Sequence, residues 1–141
     1  LKGSNNVETL VGPSGGGAFT RLEVAADGTL WAGNGTTLYR SSDGGTTAAG
    51  WTAVKAFGSG KPVKGIGLAK NDPEFLTVVT DDSTPGDGSV WISADAVTFE
   101  LIPNLVNDGW NAAYFSQVDP NLVYIVGDDD STRPVMAKLA P

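Results

Sequence analysis

One turn pattern that recurs along the chain constrains the fold more than any other feature. Asp27, Asp72 and Asp119 are each followed by Gly or Pro, and each stands between two β-like apolar runs. Their spacing of about 45 residues matches the length of one four-stranded blade of a β-propeller. The repeat therefore predicts several similar β-sheets, one after another along the chain.

The composition agrees with an all-β chain. Glycine occurs 19 times in 141 residues, and short β-prone runs alternate with Gly, Asn, Asp and Pro. A helix needs about ten or more good helix-forming residues in succession, and almost no window offers them. Short runs between such turn residues predict an all-β fold. In residues 18–25 the alternation of apolar and polar residues predicts Phe19, Leu22 and Val24 as core residues.

The repeat also predicts how the chain divides. We expect one β-propeller-like domain over residues 1–141, with units at about 18–57, 63–102 and 110–140. The third unit lacks a last strand. Residues 7–11 resemble the segments that end the other two units, so we predict that they close the last blade as its fourth strand. About three four-stranded blades result. Because closed propellers have roughly four to eight blades, oligomerisation or a larger chain would complete the ring.

A polar turn motif occurs in the first two units. It reads SSDGGTTAAGW at residues 41–51 and, in degenerate form, SADAVTF at residues 93–99. This pattern resembles the Asp-box, the Ser-x-Asp-x-Gly-x-Thr-Trp motif of BNR-repeat β-propeller proteins. Three inserted residues displace the tryptophan in the first copy, and Val97 replaces the glycine in the second. The positions that carry the resemblance are Ser41, Asp43, Gly45, Thr47, Trp51, Ser93, Asp95 and Phe99.

The resemblance implies a fold and a structural role for the motif. Such repeats occur in xyloglucanase-type glycoside hydrolases, sialidases and sortilin-like receptors. In that family the Asp-box lies on the turn between the two outer strands of a blade, away from the central site. Its Ser and Asp side chains are expected to bind backbone N–H groups and hold the turn. One fold hosts many activities, so the function has to be argued from individual residues.

The composition disfavours several function classes. The chain contains no His and no Cys, which excludes Ser-His-Asp and Cys-His catalysis and thiolate metal sites. Its net charge of −7 disfavours nucleic acid as a partner. No run approaches the ~18 apolar residues of a membrane helix, so we expect no membrane insertion. No cofactor is expected.

Catalytic candidates remain, but a structural role suits them better. Asp72 and Asp119 could form the carboxylate pair of a glycoside hydrolase. Both precede proline in the repeated turn, however, and repetition favours a turn role. A sialidase needs three arginines, whereas Arg21, Arg40 and Arg133 occupy unmatched positions in the repeat. The prediction leans towards a protein that is not an enzyme.

Two sets of residues are candidates for binding. Trp110 lies at a loop edge beside Asn107 and Asn111, so its ring could stack on a sugar or contact a partner, although strand aromatics usually belong to the core. Acidic clusters after the second strand of two units could bind Ca²⁺ through carboxylates, although such turns are more often only solvated. The Ca²⁺ candidates are Asp81, Asp82, Asp128, Asp129 and Asp130.

The function predicted from these observations is a non-catalytic structural or interaction module, extracellular or on a particle surface. Its partners would be further copies of itself or the remainder of a larger propeller, with a glycan as a further candidate. Two alternatives stay open: a fragment of a xyloglucanase-like glycoside hydrolase, and a carbohydrate-binding lectin propeller.

Overall fold

A computed structural model describes residues 9–14, 17–81, 88–103, 105, 108–119, 121–129 and 134–139. Within these residues the chain forms eleven β-strands and one short 3-10 turn, with no α-helix. The strands make three antiparallel sheets. The prediction of an all-β fold is therefore confirmed. No helix among the described residues has the length and apolar character required to cross a membrane.

Each sheet is a meander, because its strands pair in the order in which they occur along the chain. The first sheet contains β1 Phe19–Val24, β2 Leu30–Asn34, β3 Thr37–Ser41 and β4 Trp51–Ala56. The second sheet contains β5 Val63–Ala69, β6 Asp72–Thr80, β7 Ser89–Ser93 and β8 Glu100–Leu101. The third sheet contains β9 Asp108–Phe115, β10 Val123–Asp129 and β11 Pro134–Leu139.

The second sheet lies between the other two. Its edge strand β5 contacts both β1 of the first sheet and β9 of the third. One core cluster joins Trp31 and Leu38 of the first sheet to Ile66 and Val78 of the second. Another cluster joins residues of the second and third sheets, among them Val79, Val90, Trp110, Ala113 and Ile125. The sheets thus pack face to face with their first strands side by side, and the described residues form no closed sheet.

Glycine allows the second and third sheets to approach closely. A Cβ atom on Gly65 would lie 2.7 Å from the Cα atom of Ala112 and 2.7 Å from a side-chain methyl of Val79. These distances are shorter than real Cβ contacts, so any larger residue at position 65 would push the sheets apart. The close approach of the second and third sheets therefore requires a glycine at position 65.

The third sheet has three strands among the described residues, where four were predicted. Residues 7 and 8 of the segment predicted to supply the fourth strand lie outside the described part. Residues 9–11 are described, form no strand and lie against the first sheet. The backbone N–H of Val11 donates to the carbonyl oxygen of Gly45 at 2.8 Å, and the indole Nε1 of Trp51 donates to the carbonyl oxygen of Val11 at 2.6 Å. The chain therefore enters at the opposite end of the stack from β11.

Candidate functional site

The turns at residues 41–51 and 93–99 resemble Asp-boxes in sequence, and for that resemblance alone we call them the first and second Asp-box turns. The first turn is held by hydrogen bonds among its own residues. The Ser41 hydroxyl donates to Asp43 Oδ1 at 2.8 Å and accepts the Gly45 N–H at 2.9 Å. Asp43 Oδ2 accepts both the Thr47 N–H, at 3.0 Å, and the Thr47 hydroxyl, at 2.7 Å. The hydroxyls of Thr47 and Ser41 lower the pKa of the Asp43 carboxyl well below its usual range. The carboxylate is thus fully engaged in the turn.

The three-residue insertion before Trp51 forms a single 3-10 turn, Ala48–Gly50. The Thr47 hydroxyl caps it by accepting the Gly50 N–H at 3.0 Å. Trp51 is 7% exposed and packs with Leu30 and Ala32 on the face of the first sheet opposite the second sheet. The insertion is therefore absorbed locally, and the aromatic residue still reaches a buried position.

The second Asp-box turn repeats this geometry despite its sequence drift. The Ser93 hydroxyl donates to Asp95 Oδ1 at 3.1 Å, and the same oxygen accepts the N–H groups of Val97, at 2.8 Å, and Thr98, at 2.7 Å. The N–H groups of Thr98 and Val97 lower the pKa of Asp95 to about 2. Phe99 is buried, as Trp51 is in the first turn.

The motif glycine has a left-handed backbone in the first turn, whereas the residue that replaces it in the second turn does not. In the first turn Gly44 and Gly45 both have positive φ, at 69° and 75°. In the second turn Ala96, at the position of Gly44, has φ of 57° and is the one non-glycine residue in the described part of the chain with positive φ. Val97 does not share that conformation, which explains why a β-branched residue can replace the motif glycine there.

Trp110 lies in the core rather than at a surface. It is 2% exposed, packs in the cluster between the second and third sheets, and donates through Nε1 to the carbonyl oxygen of Leu105 at 3.1 Å. This burial argues against the prediction that its ring stacks on a sugar. Asn111 is exposed, with Nδ2 3.4 Å from Asp128 Oδ1. Asn107 lies outside the described residues.

Two of the predicted Ca²⁺ ligands meet at the seam between the second and third sheets. Asp81 forms an ion pair with Lys64 at 3.2 Å, and a Cβ atom on Gly109 would lie 2.6 Å from Asp128 Oδ1 and 3.5 Å from Asp81 Oδ1. Within the described residues no group of three or more His, Cys, Asp or Glu side chains could hold a metal ion. Asp82, Asp130 and the side chain of Asp129 lie outside the described part.

The two carboxylates considered as a catalytic pair, Asp72 and Asp119, each stabilise the turn in which they lie. Asp72 Oδ1 accepts the Glu74 N–H at 3.0 Å, and Asp119 Oδ1 accepts the Asn121 N–H at 3.0 Å. Of the three arginines considered for a sialidase, Arg40 has its guanidinium over the Trp31 ring, 5.6 Å from the ring centroid. Arg21 is exposed on β1 and Arg133 lies outside the described part.

Among the concave surfaces that sequence reasoning missed, two grooves of more than 300 Å³ contain acidic side chains. One groove of about 560 Å³ lies between the second Asp-box turn and the third sheet and is lined by Phe75, Asp95, Glu100 and Asn121 among others. A second groove of about 320 Å³ runs along β1, β5 and β9 and contains Glu23. Partial desolvation in the groove raises the pKa of this largely exposed carboxyl, and the positive charge of Arg21 lowers it by a smaller amount. Each groove combines residues from separate sheets, so no local pattern could have revealed it.

The outer faces of the two end sheets are the largest departure from expectation. Phe19, Leu22 and Val24, predicted as core, are 38%, 43% and 60% exposed. Leu22 pairs with Ala32 and Val24 with Leu30, so they lie on the face of the first sheet turned away from the second. We call this surface the first end face, consisting of Phe19, Leu22 and Val24.

The third sheet exposes a comparable surface. Tyr124 pairs with Tyr114, and Val126 pairs with Met136, while the alternate residues Ala113 and Ile125 face the second sheet. Tyr114, Tyr124 and Met136 are 61%, 36% and 71% exposed. We call this surface the third end face, because it belongs to the third sheet; it consists of Tyr114, Tyr124 and Met136. Apolar side chains thus cover both ends of the stack.

No family model matches the chain. No curated protein sequence matches it either.

Proposed function

We propose that this protein is a non-catalytic structural module of the Asp-box propeller type, which acts by joining further sheets to its two end faces. The observation that carries the proposal is the pair of exposed apolar faces at opposite ends of the stack. The resemblance of the turns to Asp-boxes and the side-by-side arrangement of β1, β5 and β9 support the propeller assignment. From the same resemblance we infer an extracellular or particle-surface location.

The contrast between equivalent strands supports an assembly role. β5 has a sheet on each side, and its residues Val63, Ile66 and Ala69 are at most 3% exposed. β1 occupies the same place in the first sheet, yet all six of its residues are exposed. Burying a large apolar side chain contributes about 1.5–3 kcal/mol, so covering such a face favours association. Contiguous exposed apolar patches on soluble proteins commonly mark interaction sites.

The state of the carboxylates supports a role without catalysis. A general acid or base needs a carboxyl group free to exchange a proton with the substrate. Asp43, Asp95, Asp72 and Asp119 each accept at least one backbone N–H within their own turn. Hydrogen bonds also lower the pKa of Asp43 and Asp95, so both remain ionised and are poor proton donors.

Sedimentation velocity over a range of protein concentrations tests the proposal. The 14.5 kDa chain should sediment as a larger species, and Val24→Asp should return it to the monomer because a charge at the first end face resists burial. Val118→Asp is the matched control, since Val118 is 94% exposed in the connection between β9 and β10 and is not one of the residues that make up either end face. A wild-type chain that stays monomeric at every concentration would contradict the proposal.

Carbohydrate binding is the second candidate, favoured by the groove of about 560 Å³. Its lining joins the ring of Phe75 to the carboxylate of Glu100 and the amide of Asn121, a combination that suits the apolar face and hydroxyls of a sugar. A glycan array identifies the ligand. Glu100→Gln should then weaken binding while Asn111→Ala, outside the groove, leaves it unchanged. Absence of binding to every glycan would remove this candidate.

A further inference from the structure

We infer that the chain binds a small organic carboxylate with an apolar body in a further groove, at the seam between the first and second sheets. This groove has a volume of about 400 Å³, and we call it the Arg40 groove; it is lined by Arg40, Ser42, Thr52, Val54, Ala96 and Val97. Its volume falls within the range of small-molecule sites, about 300–1,000 Å³. The inference goes beyond the proposed assembly role and does not depend on it, because no residue of this groove belongs to either end face.

Strand pairing places Arg40 on the face of the first sheet that packs against the second. Arg40 lies directly opposite Trp31 of β2 and Thr52 of β4, so these three side chains share one face of the sheet. Trp31 belongs to the core cluster that joins the first and second sheets, which identifies that face. Ala96 of the second Asp-box turn is buried in the same cluster. The groove therefore lies between the first sheet and the second Asp-box turn, at the margin of this cluster.

The guanidinium of Arg40 is held in position while its donors stay available. It lies over the Trp31 ring, 5.6 Å from the ring centroid, and this contact orients one face of the guanidinium plane. Among the residues that the structure describes, none accepts a hydrogen bond from it and no carboxylate lies within 4 Å of it. Hydrogen bonds from Thr29 are the main cause of the lowered pKa of Asp27, to which the charge of Arg40 adds the smallest part. A half-buried guanidinium with free N–H groups matches a carboxylate in charge and geometry.

The charge of the lining favours an anion. The chain has a net charge of −7, yet Arg40 is the single charged residue among the described residues that line this groove. In the groove of about 560 Å³, Ile92 takes the place of Arg40, one residue before the Asp-box serine. Ile92 pairs there with the carboxylate residue Glu100, at the position where Thr52 pairs with Arg40. The two grooves thus differ in charge, and we expect an anion in the Arg40 groove alone.

The wall opposite Arg40 offers a surface for an apolar body. Val97 stands where the motif has glycine, and it is 76% exposed. Its backbone N–H bonds to Asp95 within the turn, so the exposed side chain takes no part in holding that turn. Val54 and Ala96 continue the apolar surface towards the core cluster. A ligand with a carboxylate at Arg40 and an apolar body against Val97 contacts both sides of the groove, whereas an inorganic anion or a neutral apolar molecule satisfies one.

A titration followed by NMR tests the inference, with cinnamate as the anionic probe and uncharged cinnamamide as its matched control. Cinnamate should shift the amide resonances of Thr52, Ala96 and Val97 with a dissociation constant below about 1 mM. Cinnamamide should bind at least about tenfold more weakly, because hydrogen bonds to a charged group are the stronger ones. Absence of cinnamate binding, shifts confined to the two end faces, or equal affinities for the two compounds would each overturn the inference.

A pair of arginine variants tests the cation. Arg40→Gln should weaken cinnamate binding about tenfold or more, because it removes the charged donors. Arg21→Gln removes the same charge from an exposed arginine of β1 that does not line the groove, and it should leave the affinity unchanged. Equal affinities in these two variants would show that Arg40 does not bind the carboxylate.

A pair of valine variants tests the apolar wall through side chains on which the fold does not depend. Val97→Asp removes apolar contact and adds a negative charge beside the probe, so the affinity for cinnamate should fall about tenfold. Val118→Asp makes the same change at a position that is 94% exposed and outside the groove, and it should bind cinnamate as wild type does. Wild-type affinity in Val97→Asp would overturn the inference, even if Arg40→Gln failed to fold.

Discussion

The indole Nε1 of Trp51 donates a hydrogen bond of 2.6 Å to the carbonyl oxygen of Val11, forty positions earlier in the chain. A second bond, from the Val11 N–H to the carbonyl oxygen of Gly45, lies beside it. The Asp-box aromatic residue therefore does more than fill the core. It ties the segment that enters the first sheet to the turn between the two outer strands of that sheet.

Replacing this indole should loosen the entering segment. Trp51→Phe leaves the Val11 carbonyl without its donor and should lower the free energy of unfolding by about 1–3 kcal/mol. Trp91→Phe is the matched control, because the buried Trp91 Nε1 has no hydrogen-bond partner in the described part of the chain. Urea denaturation of both variants measures the difference. Equal destabilisation would show that the hydrogen bond to Val11 contributes nothing.

Removing the Ser41 hydroxyl should weaken the first turn. The side chain is fully buried and bonds both Asp43 and the Gly45 N–H. Ser41→Ala should therefore cost about 1–3 kcal/mol of unfolding free energy. Ser42→Ala, at the adjacent exposed position, should stay within about 0.5 kcal/mol of wild type. Denaturant midpoints for the two variants give the comparison, and similar midpoints would contradict the role assigned to Ser41.

The Asp-box carboxylates should make the protein sensitive to acid. The pKa of Asp95 falls from 3.8 to about 2 in the folded chain, and the pKa of Asp43 is lowered as well. The unfolded chain therefore takes up these protons first, so the stabilisation is present above pH 3.8 and is lost as the pH falls towards 2. Thermal unfolding midpoints across this range should fall more steeply for wild type than for Asp95→Asn.

At neutral pH the Asp95→Asn variant should unfold at a lower temperature than wild type, because an amide accepts the Val97 and Thr98 N–H groups less strongly than a carboxylate does. The two proteins should converge near pH 2. A constant difference between their midpoints at every pH would show that the lowered pKa of Asp95 does not contribute to stability.

A methyl group at position 65 should force the second and third sheets apart. Gly65→Ala places its Cβ against the backbone of Ala112 and should lower the free energy of unfolding by about 1–3 kcal/mol. Gly17→Ala is the control: its Cβ would find its nearest neighbour, Asn34 Oδ1, at 3.5 Å, and it should be neutral or slightly stabilising. Calorimetry distinguishes the two, and a neutral Gly65→Ala would contradict the close approach.

Local chemistry made part of this structure predictable. The Asp-box turns follow from residues within four positions of one another, such as Ser41 with Gly45 and Asp95 with Thr98. Bonds of this kind join residues that are close together in the sequence, so the sequence itself brings the partners near one another. Even the drift in the second motif was tolerated, because Ala96 rather than Val97 takes the left-handed backbone there.

Burial was less predictable because it depends on which sheet covers a residue. Trp110 stands among polar neighbours in the sequence, yet β9 begins before it and its ring enters the core between the second and third sheets. Phe19, Leu22 and Val24 alternate as core residues do, yet no described sheet covers them. The alternation of apolar and polar residues indicates that one face of the strand is apolar, but it does not indicate which element packs against that face.

The sequence by itself determined the all-β class, the turn residues and the Asp-box networks, since these rest on backbone preferences and hydrogen bonds between near neighbours. Only the tertiary structure decided which apolar faces are internal and which are at the ends of the stack, and that Val11 contacts the first sheet rather than the third. Those outcomes depend on the packing of sheets distant in the chain, where burial of area outweighs any local preference.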